Sequence, residues 1–365
     1  MNDTTEKALE LGFSSVGIVP AEHPFEWSRE VQRRIDESLI PEEEWSRRNL
    51  KHDPAEVIAD AKQVLILVGS HEPFKEPFPP GIAVYSSHYQ EYPRYLEKAE
   101  SFAGWLRSHG INAVVTSKLP LKHLAVKAGL GVYRQNSLVC SSDSGSFIIL
   151  FGIVTDTEIG EATLSDEPLK VASDCADCNK CVYSCPTGAI MPEGTIDLTK
   201  CIRAHMGTGT PVPPEIREAY GVRLIGCEIC QRICPHNADV LRDLSLPSGE
   251  ELELFSLPNL LNLGKSPSRK EALNDIADVI GKNYARRNRI LGDAVIAAGN
   301  MKDPNLLEYL AETLKYPHVP VRAHSAWAIG RIGTPKAKEI LLSALQEEKD
   351  PMVISEIEAA LGELQ

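Results

Sequence analysis

The strongest constraint on this chain is a set of eight cysteines confined to residues 175–234. Cys175-x2-Cys178-x2-Cys181-x3-Cys185 is followed at once by Pro186, and Cys227-x2-Cys230-x3-Cys234 by Pro235; Cys201 stands between the two runs. Three thiolates at such steps hold one four-iron, four-sulfur cubane, while the fourth cysteine of the run reaches a second. The second run has the same form without its first cysteine, which Cys201 is placed to supply. If the last cysteine of each run crosses over, one cluster takes Cys175, Cys178, Cys181 and Cys234, and the other takes Cys185, Cys201, Cys227 and Cys230. Soft sulfur donors suit iron, and a proline after the last ligand turns the chain away from the cluster. Two structural zinc sites are the alternative, but their Cys-x2-Cys pairs usually lie about 15 to 20 residues apart and lack the third step.

Clustered thiols point to metal ligation where the compartment is reducing. The opening Met1-Asn-Asp-Thr-Thr-Glu-Lys7 lacks a cationic segment followed by an apolar one, and the longest apolar run, Phe147 to Val154, is far below the roughly 20 residues that span a bilayer. A cytoplasmic protein without membrane contact is expected. Cys140, the ninth cysteine, reads as a small buried hydrophobe on a strand. The formal charge of −13 opposes non-specific attraction to phosphate backbones, so nucleic-acid contact requires a local basic patch.

The 365 residues exceed one average domain. Residues 1–165 read as a mixed α/β domain. Residues 8–21 read as a helix end, a glycine stop at Gly12 and a short strand; further strands lie near 61–68, 111–116, 137–140 and 146–155, with a helix at 95–109 stopped by Gly110 and another at 121–128 closed by Gly129. Residues 166–172 read as a linker within a cysteine domain at 166–240, and 241–280 as a leucine-rich connection. In residues 281–365, Asp303-Pro304 recurs as Thr334-Pro335, Ala298-Gly299 as Ile329-Gly330, and Pro320-Val321 as Pro351-Met352, each 31 residues apart. A fixed period near 30 marks a helical solenoid, here with helices at 321–329 and 336–346 around a Gly-Thr-Pro turn. A plain helical cap on the core is the other reading.

Two adjacent clusters transfer electrons, and the α/β domain fused to them is where an acceptor would bind. The chain has no Asp-x-His-x-x-Gly cobalamin motif, no P-loop and no well-placed Gly-x-Gly-x-x-Gly, so motif chemistry leaves that acceptor open.

Taken together, these residues resemble the epoxyqueuosine reductase family, cobalamin and iron–sulfur enzymes of queuosine biosynthesis in tRNA that are related to reductive dehalogenases. The resemblance rests on Gly12-Phe-Ser-Ser-Val-Gly-Ile-Val-Pro-Ala21, His52-Asp-Pro with Ala61-Lys-Gln-Val64, Ala128-Gly-Leu-Gly131 with Asn136, and Gly145-Ser146 leading to Thr155-Asp156. It continues through Cys178-Asn-Lys-Cys-Val-Tyr-Ser-Cys-Pro-Thr-Gly-Ala-Ile190, Lys200-Cys-Ile202, Arg223-Leu-Ile-Gly-Cys-Glu-Ile-Cys-Gln-Arg-Ile-Cys-Pro235 and Ser325-Ala-Trp-Ala-Ile-Gly-Arg-Ile-Gly333. It implies an α+β chain: a nitroreductase-like cobalamin domain, a bacterial ferredoxin-like domain with two [4Fe-4S] clusters, and HEAT-like repeats. It implies further that the clusters deliver electrons to cobalamin, giving Co(I), and that an external flavodoxin or ferredoxin donates them. Gly129, Gly131 and Asn136 would face the cobalamin.

Two departures bear on the substrate. The family's Val-Asp-Thr-Gly stretch, whose aspartate is thought to donate a proton to the opened epoxide, here reads Val114-Val-Thr-Ser-Lys-Leu-Pro120, without a carboxylate. Its Trp-Gly-(Lys/Arg)-Asp-Tyr-His-Asp stretch appears as Ser87-His-Tyr-Gln-Glu-Tyr-Pro93. General acid catalysis needs a proton source within hydrogen-bond reach, and His123, Tyr89 and Glu91 are the replacement candidates by position, each against a packing or surface reading. Arg286, Arg287 and Arg289 open the repeat region and are the candidate tRNA contacts, although a charge run is usually a solvated helix face. The expected activity is reduction of epoxyqueuosine in tRNA. The alternatives are a paralogue reducing a small organic molecule, as dehalogenases do, or a non-enzymatic electron-transfer or cobalamin-handling protein.

Overall fold

A computed structural model describes residues 2–165, 170–265 and 270–364. Of the linker expected at 166–172, residues 166–169 lie outside the described residues. The chain divides into two compact units that are discontinuous in sequence, a different grouping from four consecutive segments. The first comprises residues 1–73, 91–201 and 228–243; the second comprises 74–90, 202–227 and 244–365.

The first unit is framed by a four-stranded antiparallel sheet in the order Ser15–Pro20, Gln63–Ser70, Ile148–Thr155, Ala113–Thr116. The run Val64-Leu-Ile-Leu-Val68 is apolar throughout because both faces of its strand are covered. Leu65 and Leu67 pack with Phe151, Ile153, Ala99, Phe102 and Leu106 on one side. Val64 and Ile66 pack with Val154, Leu121, Leu124 and Ala128 on the other. The long helix covering the first face spans Ser87–Ser108, eight residues longer at its start than the sequence suggests, and it carries Pro93 inside. Proline removes one backbone donor, which is why the pattern alone starts the helix after it. The strand expected at 137–140 is reduced to Val139–Cys140, paired with Val132–Tyr133 in a small hairpin.

The second unit is mainly helical. Its core joins the leucine-rich connection to the repeats: Leu257, Leu260, Leu261 and Leu263 are buried with Leu291, Leu310, Val321, Leu341 and Ile357. The helices Arg287–Met301, Val319–Ile332 and Pro351–Glu363 repeat at close to the expected spacing, and Pro335–Glu347 lies between the last two. Asp303, Thr334 and Asp350 each stand before a proline and accept a backbone N–H with the side chain, at 2.9, 3.2 and 3.0 Å. This is the N-cap and Pro pairing that starts a helix sharply. The repeated glycines have a packing cause: a Cβ on Gly299 would lie 2.8 Å from Ala328 Cα, and one on Gly330 would lie 2.6 Å from Ala360 Cβ. Arg217, almost fully buried, forks onto Glu356 and tethers the last helix to the helix Pro214–Ala219. No helix among the described residues is long and apolar enough to cross a membrane.

Candidate iron–sulfur site

The cysteines sit where the chain is least regular. A tight turn carries Cys175, whose carbonyl accepts from Cys178 N–H at 3.1 Å, and Asn179, in the left-handed region at φ 46°, starts the short helix Lys180–Ser184 with Cys181. Cys185 leaves that helix extended at ψ 114°. In the second run Cys234 follows the helix Ile229–Arg232 and is likewise extended, at ψ 124°. Proline disfavours helical backbone in the residue before it, so Pro186 and Pro235 each send the fourth cysteine off the helix that holds its neighbours. Cys185 Sγ accepts from Ala189 N–H at 3.3 Å and lies 3.5 Å from Thr187 Oγ1, contacts suited to a thiolate ligand.

Within the first unit the structure brings Cys175, Cys181 and Cys234 together although 59 residues separate the first from the last. Burial first, then the neighbouring Cys234 and Cys175, push the Cys181 thiol up to about 11; burial also raises Cys234. Thiols so crowded resist ionising on their own, and a cationic iron core reverses that preference. The donor set therefore fits a cluster. The thiolates of a cubane stand farther apart than the ligands of one tetrahedral ion, and no group of three or more His, Cys, Asp or Glu among the described residues closes around a single ion. Cys185, Cys201 and Cys230 belong to the same unit; Cys227 ends a segment of the second unit, one residue before the first resumes. Cys140 is buried, as expected, and its position beside Cys175 and Cys234 is a tertiary finding.

Two sequence stretches gain a role here. Asn237 is fully buried and donates to Ser146 Oγ at 2.9 Å and to Gln231 O at 2.7 Å, while its Oδ1 accepts from Ser146 N–H at 2.8 Å. Gly145, at φ 55°, packs so closely on Asn237 Oδ1 that no Cβ fits. Gly145-Ser146 thus anchors the loop that follows Cys234. Asn136 donates to Cys230 O at 3.2 Å, so it steadies the second run as well.

The remaining candidates occupy varied settings. Gly129 takes φ +70° where the helix Leu121–Lys127 ends, with Leu130 N–H returning to Ala125 O at 2.9 Å; among the described residues a Cβ there would meet Ser165 Cβ, at 3.7 Å. Gly131 is pressed against Cys140, whose carbonyl oxygen would be 2.6 Å from a Cβ. His123 is buried on that helix, and burial followed by the Lys127 charge lowers its pKa to about 4, so it is neutral at pH 7. Glu91 pairs with Arg94. Tyr89 is buried, edge-on to Tyr284 at 4.5 Å with the Arg203 guanidinium 5.3 Å from its ring. Thr116 ends its strand, and its hydroxyl accepts from Lys118 N–H at 3.0 Å. Of the arginines, Arg286 is exposed, whereas Arg287 donates to Leu263 O at 2.8 Å and Arg289 to Asn283 O at 3.2 Å. Sequence reasoning missed Arg134, beside the first cysteine set, and the buried Asp293 in the repeats. Neither lies in a motif, and isolated charged residues give no signal before folding.

Residues 174–237 match the family described as 4Fe-4S double cluster binding domain, and residues 288–362 match HEAT repeats. Epoxyqueuosine reductase of Bacillus subtilis is 30% identical over 249 residues, 68% of this chain; the matched part spans 62% of that relative's length. The enzyme of that name from Vibrio cholerae is 28% identical over 381 residues, covering 95% of this chain and 96% of its own. Two solved structures share the fold at a TM-score of 0.81 over 100% of this chain and 98% of theirs: a selenomethionine-labelled epoxyqueuosine reductase at 24% identity, and one with a tRNA-Tyr epoxyqueuosine-modified stem loop at 23%. Likeness that runs unbroken from the strands through the cysteines to the helical tail places this chain in the epoxyqueuosine reductase family.

Proposed function

We propose that the chain is an iron–sulfur and cobalamin-dependent reductase that converts epoxyqueuosine to queuosine in tRNA. The observation that carries this reading is the convergence of Cys175, Cys181 and Cys234 within one unit, which supports the crossed ligand sets Cys175, Cys178, Cys181, Cys234 and Cys185, Cys201, Cys227, Cys230. Functionally the chain divides into residues 1–165 for cobalamin, 166–240 for the clusters, 241–280 as connection and 281–365 as the tRNA-facing repeats. Cobalamin, when bound, supplies the low-potential electrons that a closed-shell epoxide does not accept from clusters directly. Gly129, Gly131 and Asn136 are assigned to cobalamin on the resemblance; Gly131 packs against Cys140 and Asn136 donates to Cys230 O, which ties this turn to the cysteine runs.

A relative was solved with an epoxyqueuosine-modified tRNA stem loop, and Arg286 with Arg287 and Arg289 offers a basic start to the repeats for the same use. Reduced thiols and clusters require a reducing compartment, so the protein works in the cytoplasm and takes electrons from a flavodoxin or ferredoxin. The stretch Val114-Val-Thr-Ser-Lys-Leu-Pro120, which holds no carboxylate, favours one second reading, a paralogue reducing a small organic molecule with the same clusters. Incubating the anaerobically reconstituted protein with epoxyqueuosine-containing tRNA and a reductant, followed by nucleoside mass spectrometry, separates the two. Queuosine is the expected product. Its absence from a preparation carrying about eight irons and a bound corrinoid would transfer the case to the small-molecule reading.

A further inference from the structure

Arg134 stands on the hairpin Val132–Cys140, held by Arg134 N–H to Leu138 O at 2.9 Å and Ser137 N–H to Arg134 O at 2.8 Å. The neighbouring Tyr133 O accepts from Ala172 N–H at 2.9 Å, which docks the hairpin on the chain entering the first cysteine run. The Arg134 side chain is 11% exposed, and its guanidinium donates to Asp174 Oδ1 and, at 3.2 Å, to His236 Nδ1. Because His236 Nδ1 accepts, its proton sits on Nε2, which lies 3.0 Å from Asp174 Oδ2. The three side chains therefore close a ring. Asp174 immediately precedes Cys175, and His236 comes two residues after Cys234. The ring thus ties together the segments bearing the first and the last ligand of one proposed cluster. Arg134 Nε is buried without a hydrogen-bond partner among the described residues, and the side chain lies beside Cys140 and Cys175.

We infer that Arg134 sets the reduction potential of the cluster held by Cys175, Cys178, Cys181 and Cys234, by clamping its two ligand segments and holding a permanent positive charge against it. The inference rests on the ligand set proposed above. A cluster gains one negative charge on reduction, and a nearby guanidinium in a water-poor setting favours that form. Arginine keeps its charge at any working pH and has a rigid fork that serves Asp174 and His236 at once.

The test is an EPR-monitored redox titration of the reconstituted full chain, with iron counted for every variant. Arg134→Met lowers the potential of one cluster and leaves the other in place; a tenfold change in the one-electron equilibrium is about 59 mV. Asp174→Asn removes a negative charge from the same ring and shifts the same cluster upward. A purely structural clamp would not give opposite signs. Arg134→Lys retains the charge and stays nearer the parent. Unmoved potentials in both Arg134→Met and Asp174→Asn, or equal shifts of both clusters, overturn the inference; should Arg134→Met lose iron, the upward shift in Asp174→Asn decides. Cys175→Ala and Cys234→Ala test the ligand set separately: they must abolish the same signal, and loss of different signals sinks that assignment whatever Arg134 does.

Discussion

The cysteine loops of the first unit and the repeats of the second hold their shape by different means. Between Cys175 and Cys185 there are short turns and a five-residue helix, and Cys175 is the only residue of that stretch classed as buried. In the helix Arg287–Met301, by contrast, every residue from Ile290 to Gly299 is buried. Apolar area removed from water at about 25 cal/mol per Å² sustains the repeats without help. The loops have too little such area and depend on iron–sulfur bonds and a few buried polar contacts. One chain therefore combines a part whose stability comes from packing with a part whose stability comes from a cofactor.

Iron removal breaks the comparison most sharply. Chelation under air should open residues 174–201 and 228–237 to proteolysis, at least about tenfold faster by the loss of metal-coupled folding, while the helical circular dichroism of 287–363 persists. Equal loss of both would erase the distinction. Next is Asp293, which accepts Gly207 N–H at 2.7 Å yet is pushed up to about 8 because burial outweighs that bond. A raised carboxyl holds its proton in the folded state, so its stability contribution is full below about pH 4 and is lost as pH rises through 8. Asp293→Asn should flatten this decline, by up to about 4 kcal/mol between roughly pH 5 and 8 at 1.4 kcal/mol per unit, in urea midpoints taken across that range. Gly330→Leu forces side-chain atoms onto Ala360 and should cost about 2–3 kcal/mol in denaturant midpoint with the iron content unchanged. Asn237→Ala strands Ser146 and Gln231 in the first unit and should cost about 1–2 kcal/mol, but with faster iron release, the reverse pairing of effects.

Much of the fold was legible. The continuous apolar run at 64–68, the glycine stops at Gly12 and Gly110, and the 31-residue period all carry local signals that survive into the structure. The local pattern begins the helix Ser87–Ser108 only after Pro93, a strong local breaker, whereas burial of Tyr89, Tyr95 and Phe102 outweighs one missing hydrogen bond. The double-cluster module was legible because metal chemistry fixes residue type and spacing together. Asn237, Gly145 and Arg134 were not, since each acts on a partner more than thirty residues away and carries no periodic signal.

The sequence by itself determined the ligand chemistry, the strand and repeat periods and the absence of a carboxylate from residues 114–120, because these depend on residue identity and short spacing. Tertiary structure alone decided that Cys140 lies beside Cys175 and Cys234, that Gly131 packs against Cys140, and that Arg134 closes a ring with Asp174 and His236. Those facts depend on distances across the folded chain, which are set by how the sheet and hairpin pack.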